Sequence, residues 1–183
     1  MKILQYATDK SGVTLIELMI VMVLSLMLTG AAYLSFQVLH KTNIVHEQTT
    51  YVQQDLRAAM DIISRDILNA GSAGSGIVVT ASTTGLNRIG MRCPSWVGYS
   101  LNGTDLIRDD GTSNILISNV TSFGLSYFDG NTAAIALPLD STTVSTLRYL
   151  GVYLCAQSNG VDPDTGNPVE RYLNRNVGLR NLQ

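Results

Sequence analysis

A single carboxylate, Glu17, interrupts an otherwise apolar run that covers residues 13–39, and residues 18–39 carry no charge at all. On insertion scales a carboxylate at the centre of a membrane span costs about 2.5–3.5 kcal/mol, and less near its end. An acid kept in such a place is therefore read first as functional, and it calls for a cation. The run itself offers none. The local sequence is Lys10-Ser11-Gly12-Val13-Thr14-Leu15-Ile16-Glu17-Leu18. Cutting the chain between Gly12 and Val13 would create an α-amino group beside Thr14 and close to Glu17, and that amine would supply the missing positive charge.

The elements that must position these residues follow from patterning. A bilayer core of about 30 Å takes roughly 20 apolar residues as a helix, so residues 13–39 read as a membrane-spanning helix. Ser25, Thr29 and Ser35 are expected to return their hydroxyls to the preceding helical turn. Gly30-Ala31-Ala32 is a small-residue patch that permits close helix approach or a bend. A cleaved secretory signal fits poorly, because the run is too long and no Ala-x-Ala site follows it. Lys2 and Lys10 precede the run and Lys41 follows it, which favours a cytoplasmic N-terminus and a head on the far side.

Helical patterning continues past residue 39. Val45, Val52, Leu56, Ala59, Ile63 and Ile67 make a one-faced stripe. Arg57, Asp61, Arg65 and Asp66 lie off it, with Arg57–Asp61 and Asp61–Arg65 spaced as i,i+4 pairs on a solvated face. No proline interrupts residues 13–70, Gly71 suits a helix stop, and residues 72–76 form a Gly/Ser connector. From residue 77 the period shortens. Strands are expected at 77–80, 86–91, 105–108, 115–118, 120–128, 144–155 and 171–179, the sixth being central because both its faces are apolar. Hairpin turns are expected at Asn102-Gly103, Asp110-Gly111, Asp129-Gly130 and Asn159-Gly160. The fold class is α+β: a long helix whose second half packs on an antiparallel sheet.

The remaining candidate chemistry is sparse. The chain has 183 residues, 14% of them charged, 45% hydrophobic, and a net charge of −2. These values exclude a disordered chain and give no basic surface for nucleic acid. Cys93 and Cys155 both fall in the head, where a bridge would stabilise by about 2–4 kcal/mol; two buried free thiols are the alternative. Asp162, Asp164, Asn167 and Glu170 crowd a Pro/Gly loop as a calcium option, although the spacing is not that of an EF-hand and a plain polar turn accounts for it. No other cofactor is expected. His40 and His46 do not share a helix face and have no metal-site company. Tyr33, Phe36 and Tyr51 read as packing residues rather than an electron path. No phosphate loop or nucleophile arrangement is visible, so an enzyme is not expected.

Gly12, Thr14, Leu15, Ile16 and Glu17 resemble the class III signal of type IV pilins and pseudopilins, with Val13 where phenylalanine is usual. The helix end, with Arg65-Asp66-Ile67 followed by Ala70-Gly71, resembles PilW-type minor pilins and, less closely, J-like minor pseudopilins of type II secretion. The resemblance implies a leader of residues 1–12 removed by a prepilin peptidase and N-methylation of Val13. It also implies a filament-core helix over 13–39, a head helix over 40–71 and a β-rich head over 77–183. The implied partners are other pilin subunits, met through the N-terminal helices, and an inner-membrane assembly platform. The implied location is the inner membrane, single-pass, with an extracytoplasmic head that later sits in a pilus or pseudopilus. A minor pilin that initiates or tips the filament leads the readings; a J-like pseudopilin, a major fibre subunit and a membrane-anchored periplasmic enzyme or receptor are the alternatives.

Overall fold

The computed structural model describes residues 12–70, 88–93, 95–135 and 146–179. Most of the expected leader, the 72–76 connector and the 77–80 strand lie outside the described residues. Helix α1 spans Leu15–Asn69, followed by β1 (Arg88–Cys93), β2 (Ser95–Asn102), β3 (Asp105–Asp109), β4 (Ser113–Ile117), β5 (Val120–Asp129), β6 (Leu147–Val161) and β7 (Pro168–Gly178). The chain divides into two units, Met1–Asn43 and Ile44–Gln183.

In the first unit the described chain is helix from Leu15 onward, with its large apolar side chains exposed. Ser25, Thr29 and Ser35 donate to the carbonyls of Met22, Ser25 and Ala31 at 2.9, 2.8 and 3.0 Å, as their positions in an apolar helix require.

The second unit is the α+β body. Its strands form two antiparallel sheets rather than one, in the orders β1-β2-β3-β4 and β5-β6-β7, so β6 is central as its apolar faces predict. Val52, Leu56, Ala59, Met60, Ile63 and Ile67 of α1 are buried with inward residues of both sheets, including Tyr99, Leu106, Phe123, Leu150, Val152 and Leu154. Each fully buried aliphatic side chain contributes about 1.5–3 kcal/mol. Tyr127 belongs to the same core, and burial pushes its phenol up to about 12.

Three expectations need correction. Strand β2, flanked in sequence by Pro94 and carrying Gly98, was not anticipated; it pairs with β1 and with β3. Asn159-Gly160 is no turn: it lies inside β6, where the pairing with β7 shifts between Gln157 and Val161. A side chain at Gly160 would collide with Gln48, since a Cβ there falls 2.4 Å from Gln48 Nε2. The β6–β7 reversal is made instead by residues 162–167, with Gly166 at φ 69°. Asp61, finally, pairs across space rather than along its helix: Arg175 Nη1 of β7 donates to its Oδ1 at 2.6 Å. Both partners are largely exposed, so this ion pair is worth little.

A second tertiary link is deeper. Tyr99 Oη and Arg108 Nε both donate to Asp66 Oδ2, at 2.5 and 2.8 Å, and Arg108 also pairs with Asp110. The Asp66 side chain is 13% exposed. Burial, then the Asp66 carboxylate, pushes the Tyr99 phenol up, and the Asp66 hydrogen bond raises Arg108. The link ties the last turns of α1 to β2 and β3.

Truncation at the centre of this core tests the packing. Ile63→Ala should destabilise the second unit by about 2–5 kcal/mol, read as a lower denaturant midpoint at Trp96 fluorescence, while Arg57→Ala on the exposed face stays within about 0.5 kcal/mol.

Candidate assembly site at the helix start

The start of α1 is built by a local motif. Thr14-Leu15-Ile16-Glu17 has the Thr-x-x-Glu spacing of a capping box. Thr14 stands just outside the helix, and its Oγ1 accepts from Glu17 N–H at 3.3 Å; its carbonyl accepts from Glu17 N–H and Leu18 N–H at 3.1 and 3.2 Å. One of the unpaired donors of the first turn is thereby satisfied by a side chain rather than by water, which suits a helix end that enters an apolar medium. Glu17 in the first turn also sits where the helix dipole favours a negative charge.

Gly12, Val13, Thr14 and Glu17 are all exposed, Val13 at 72%, and a Cβ at Gly12 would meet nothing. The scissile bond expected at Gly12–Val13 is thus open to a second macromolecule. Past Glu17 the helix presents apolar side chains in every direction: Leu18, Ile20, Val23, Leu26 and Leu34 are each half or more exposed. Among the described residues one helix is long and apolar enough to cross a membrane, with mean hydropathy 2.2 over its best window and no part of that window buried. His40 stacks on Phe36 with ring centroids 6.0 Å apart, and Tyr33, Phe36 and Tyr51 stay exposed on the helix surface.

The structure does not gather the calcium option. Asp162 Oδ1 accepts from Asp164 N–H at 2.8 Å, closing the turn. Glu170 lies outside the loop, on β7. Its Oε1 accepts from Thr121 Oγ1 at 2.7 Å and from Cys155 Sγ at 3.2 Å, and the Thr121 bond holds its carboxyl below the usual range. Among the described residues no group of three metal-ligating side chains forms.

The expected Cys93–Cys155 bridge is not formed either. Cys155 is a free, buried thiol on the middle strand of the three-stranded sheet. Cys93 ends β1, the outer strand of the other sheet; its side chain lies outside the described residues. Burial pushes the Cys155 thiol up.

Sequence reasoning missed the Asp66–Tyr99–Arg108 link and the Gln48–Ser158 contact. Ser158, buried, donates to Gly160 O at 2.5 Å and accepts from Val169 N–H at 2.9 Å, with Gln48 Oε1 3.3 Å away. The signal for the first was an acid placed beside Ile63 and Ile67 at the border of the buried stripe; the second left no local trace.

Residues 8–33 match the family described as the prokaryotic N-terminal methylation motif. Among solved structures, a type IV-like pilin from Thermus thermophilus is similar in fold, with a TM-score of 0.52 at 15% identity, covering 72% of this chain and 98% of that one. No curated protein matches. The chain is type IV pilin-like in both motif and fold. The matched motif runs into the apolar helix that is long enough to cross a membrane.

Two measurements test this geometry. Thr14→Ala should loosen the first turn of the pilin-like helix by about 0.5–2 kcal/mol, seen as faster amide exchange at Glu17, whereas Thr14→Ser restores protection. In the reduced protein, Cys155 should alkylate slowly at neutral pH when folded and rapidly once unfolded, because its thiol is both covered and raised.

Proposed function

We propose that this chain is a minor pilin that initiates or tips a type IV pilus. The observation that carries the reading is the lone first-turn acid at Glu17, whose N–H is capped by Thr14, at the start of a helix whose apolar window is exposed throughout. In this reading the precursor sits in the inner membrane with its head outside. A prepilin peptidase cuts after Gly12 and methylates the Val13 amine. An assembly platform then moves the subunit from lipid into a bundle of N-terminal helices, where water is scarce.

Glu17 of one subunit there pairs with the Val13 amine of a neighbour. The pair acts through what its absence would cost: leaving one member of a buried pair alone is destabilising by about 3–5 kcal/mol. Misregistered subunits therefore carry an uncompensated charge, and axial register follows. The helix end with Asp66 and Ala70-Gly71 supports the minor-pilin form of the reading through its resemblance to PilW-type subunits.

The test separates cutting from assembly. Glu17→Ala should still lose residues 1–12, by N-terminal mass spectrometry of the membrane fraction, and should be missing from sheared filaments. Glu17→Asp, one methylene shorter, should be incorporated weakly. Normal incorporation of the alanine variant would contradict the pairing role.

A further inference from the structure

The three-stranded sheet has two unlike faces. Its inner face packs on α1 and holds the basic residues of β7: Arg171 bonds Thr49 Oγ1, and Arg175 bonds Asp61. Its outer face is set by the alternate positions 122–128 of β5, 149–155 of β6 and 172–178 of β7, which the pairing register places side by side. None of these outward positions is charged: they are tyrosine, asparagine, serine, glycine, one phenylalanine and the covered Cys155. Glu170, the next outward position of β7 beyond Tyr172 and paired with Gln157, puts a carboxylate at one end of this face and is already bonded to Thr121 and Cys155.

Tyr149, Tyr153 and Tyr172 are 41%, 39% and 73% exposed on it. Aromatic rings on a sheet usually stand away from it and shield one another's faces. Here a glycine lies against one of them: a Cβ at Gly178 would be 3.6 Å from Tyr149 Cδ1 and Cε1. The Tyr149 ring thus lies across its neighbouring strand, with its outer side to solvent. Tyr153 and Tyr172 stack at a centroid distance of 6.3 Å and an interplanar angle of 26°. Exposed Asn174 and Asn176 stand along the same face of β7.

From this arrangement, the geometry points to a binding face for a neutral saccharide chain. The electron-rich faces of tyrosine rings attract the weakly positive C–H edges of a sugar ring, and the burial of those apolar edges supplies the driving force. Asparagine amides offer both a donor and an acceptor, which suits hydroxyl pairs. With no cation among these outward positions and the Glu170 carboxylate at their end, the face disfavours an anionic glycan, a phosphate or nucleic acid, each of which needs cations that β7 turns to its other side. The face lies wholly within the second unit and does not depend on how the N-terminal helix assembles.

The test uses the full chain in a detergent without a sugar headgroup, titrated with chitohexaose and followed by calorimetry and by saturation transfer to the sugar protons. Binding is expected, and Tyr153→Ala/Tyr172→Ala should weaken it by about tenfold or more. Tyr172 is so exposed that Tyr172→Ala alone leaves the core intact and should still reduce affinity. Tyr51→Ala, on the helix, should not change it. A fully charged hexasaccharide, oligogalacturonate, should bind more weakly than chitohexaose. No binding of the neutral sugar, equal binding by the double variant, or variants that lose self-association while keeping the sugar would each overturn the proposal.

Discussion

Among the described residues, the apolar side chains of the first helical unit are exposed. Its side chains point outward on all sides, and the hydrophobic cluster of the second unit draws on α1 only from Val52 onward. Apolar side chains in water are unfavourable in proportion to their area. The helix therefore requires lipid or other helices of its kind. In either surrounding Glu17 is the one charge within residues 13–39, and its comfort depends on which surrounding the helix is in. Thr14 settles the backbone at that end but leaves the charge itself unanswered.

The second unit solves a different problem. Two modest sheets and half a helix share one core, and the seams between them are closed by polar links as well as by packing. Asp66 accepts from Tyr99 and Arg108 at the end of the helix, and Gln48 lies against Ser158 and Gly160 further up. The two differ in kind. Asp66 is a charge-assisted link whose removal would strand a buried phenol and leave Arg108 to Asp110 alone. Gln48 is a neutral link, accepting from Ser158 Oγ at 3.3 Å and donating to Val161 O at 3.4 Å.

The helix was legible because its determinants are local. The stripe through Val52, Leu56, Ala59, Ile63 and Ile67 is a property of spacing alone, whereas the equally local Thr14–Glu17 cap emerged only from the structure. The centrality of β6 was legible for the same reason, from apolar residues on both its faces. The strand β2 was not, because Pro94 and Gly98 look like breakers until β1 and β3 flank the segment with hydrogen bonds. Asn159-Gly160 has the composition of a turn, yet the chain uses it to accommodate a register shift. The loop after residue 161 read as a polar turn from its Pro and Gly, and Asp162 closes that turn by accepting from Asp164 N–H. The pairs Asp66–Tyr99 and Gln48–Ser158 join residues far apart in sequence, and no window of local pattern contains both partners.

The ends of the three-stranded sheet have a consequence for life at high density. An unpaired strand border is a template on which another chain can add, and heads held close together along a fibre would meet such borders constantly. Strand β7, the last in its sheet, opens with Pro168, which lacks an amide donor, and then carries Glu170, Arg171 and Arg175. Proline and charge on an outermost strand discourage edge-to-edge zippering. The same strand that binds the helix through its arginines thus also resists edge-to-edge pairing with a second copy of the chain.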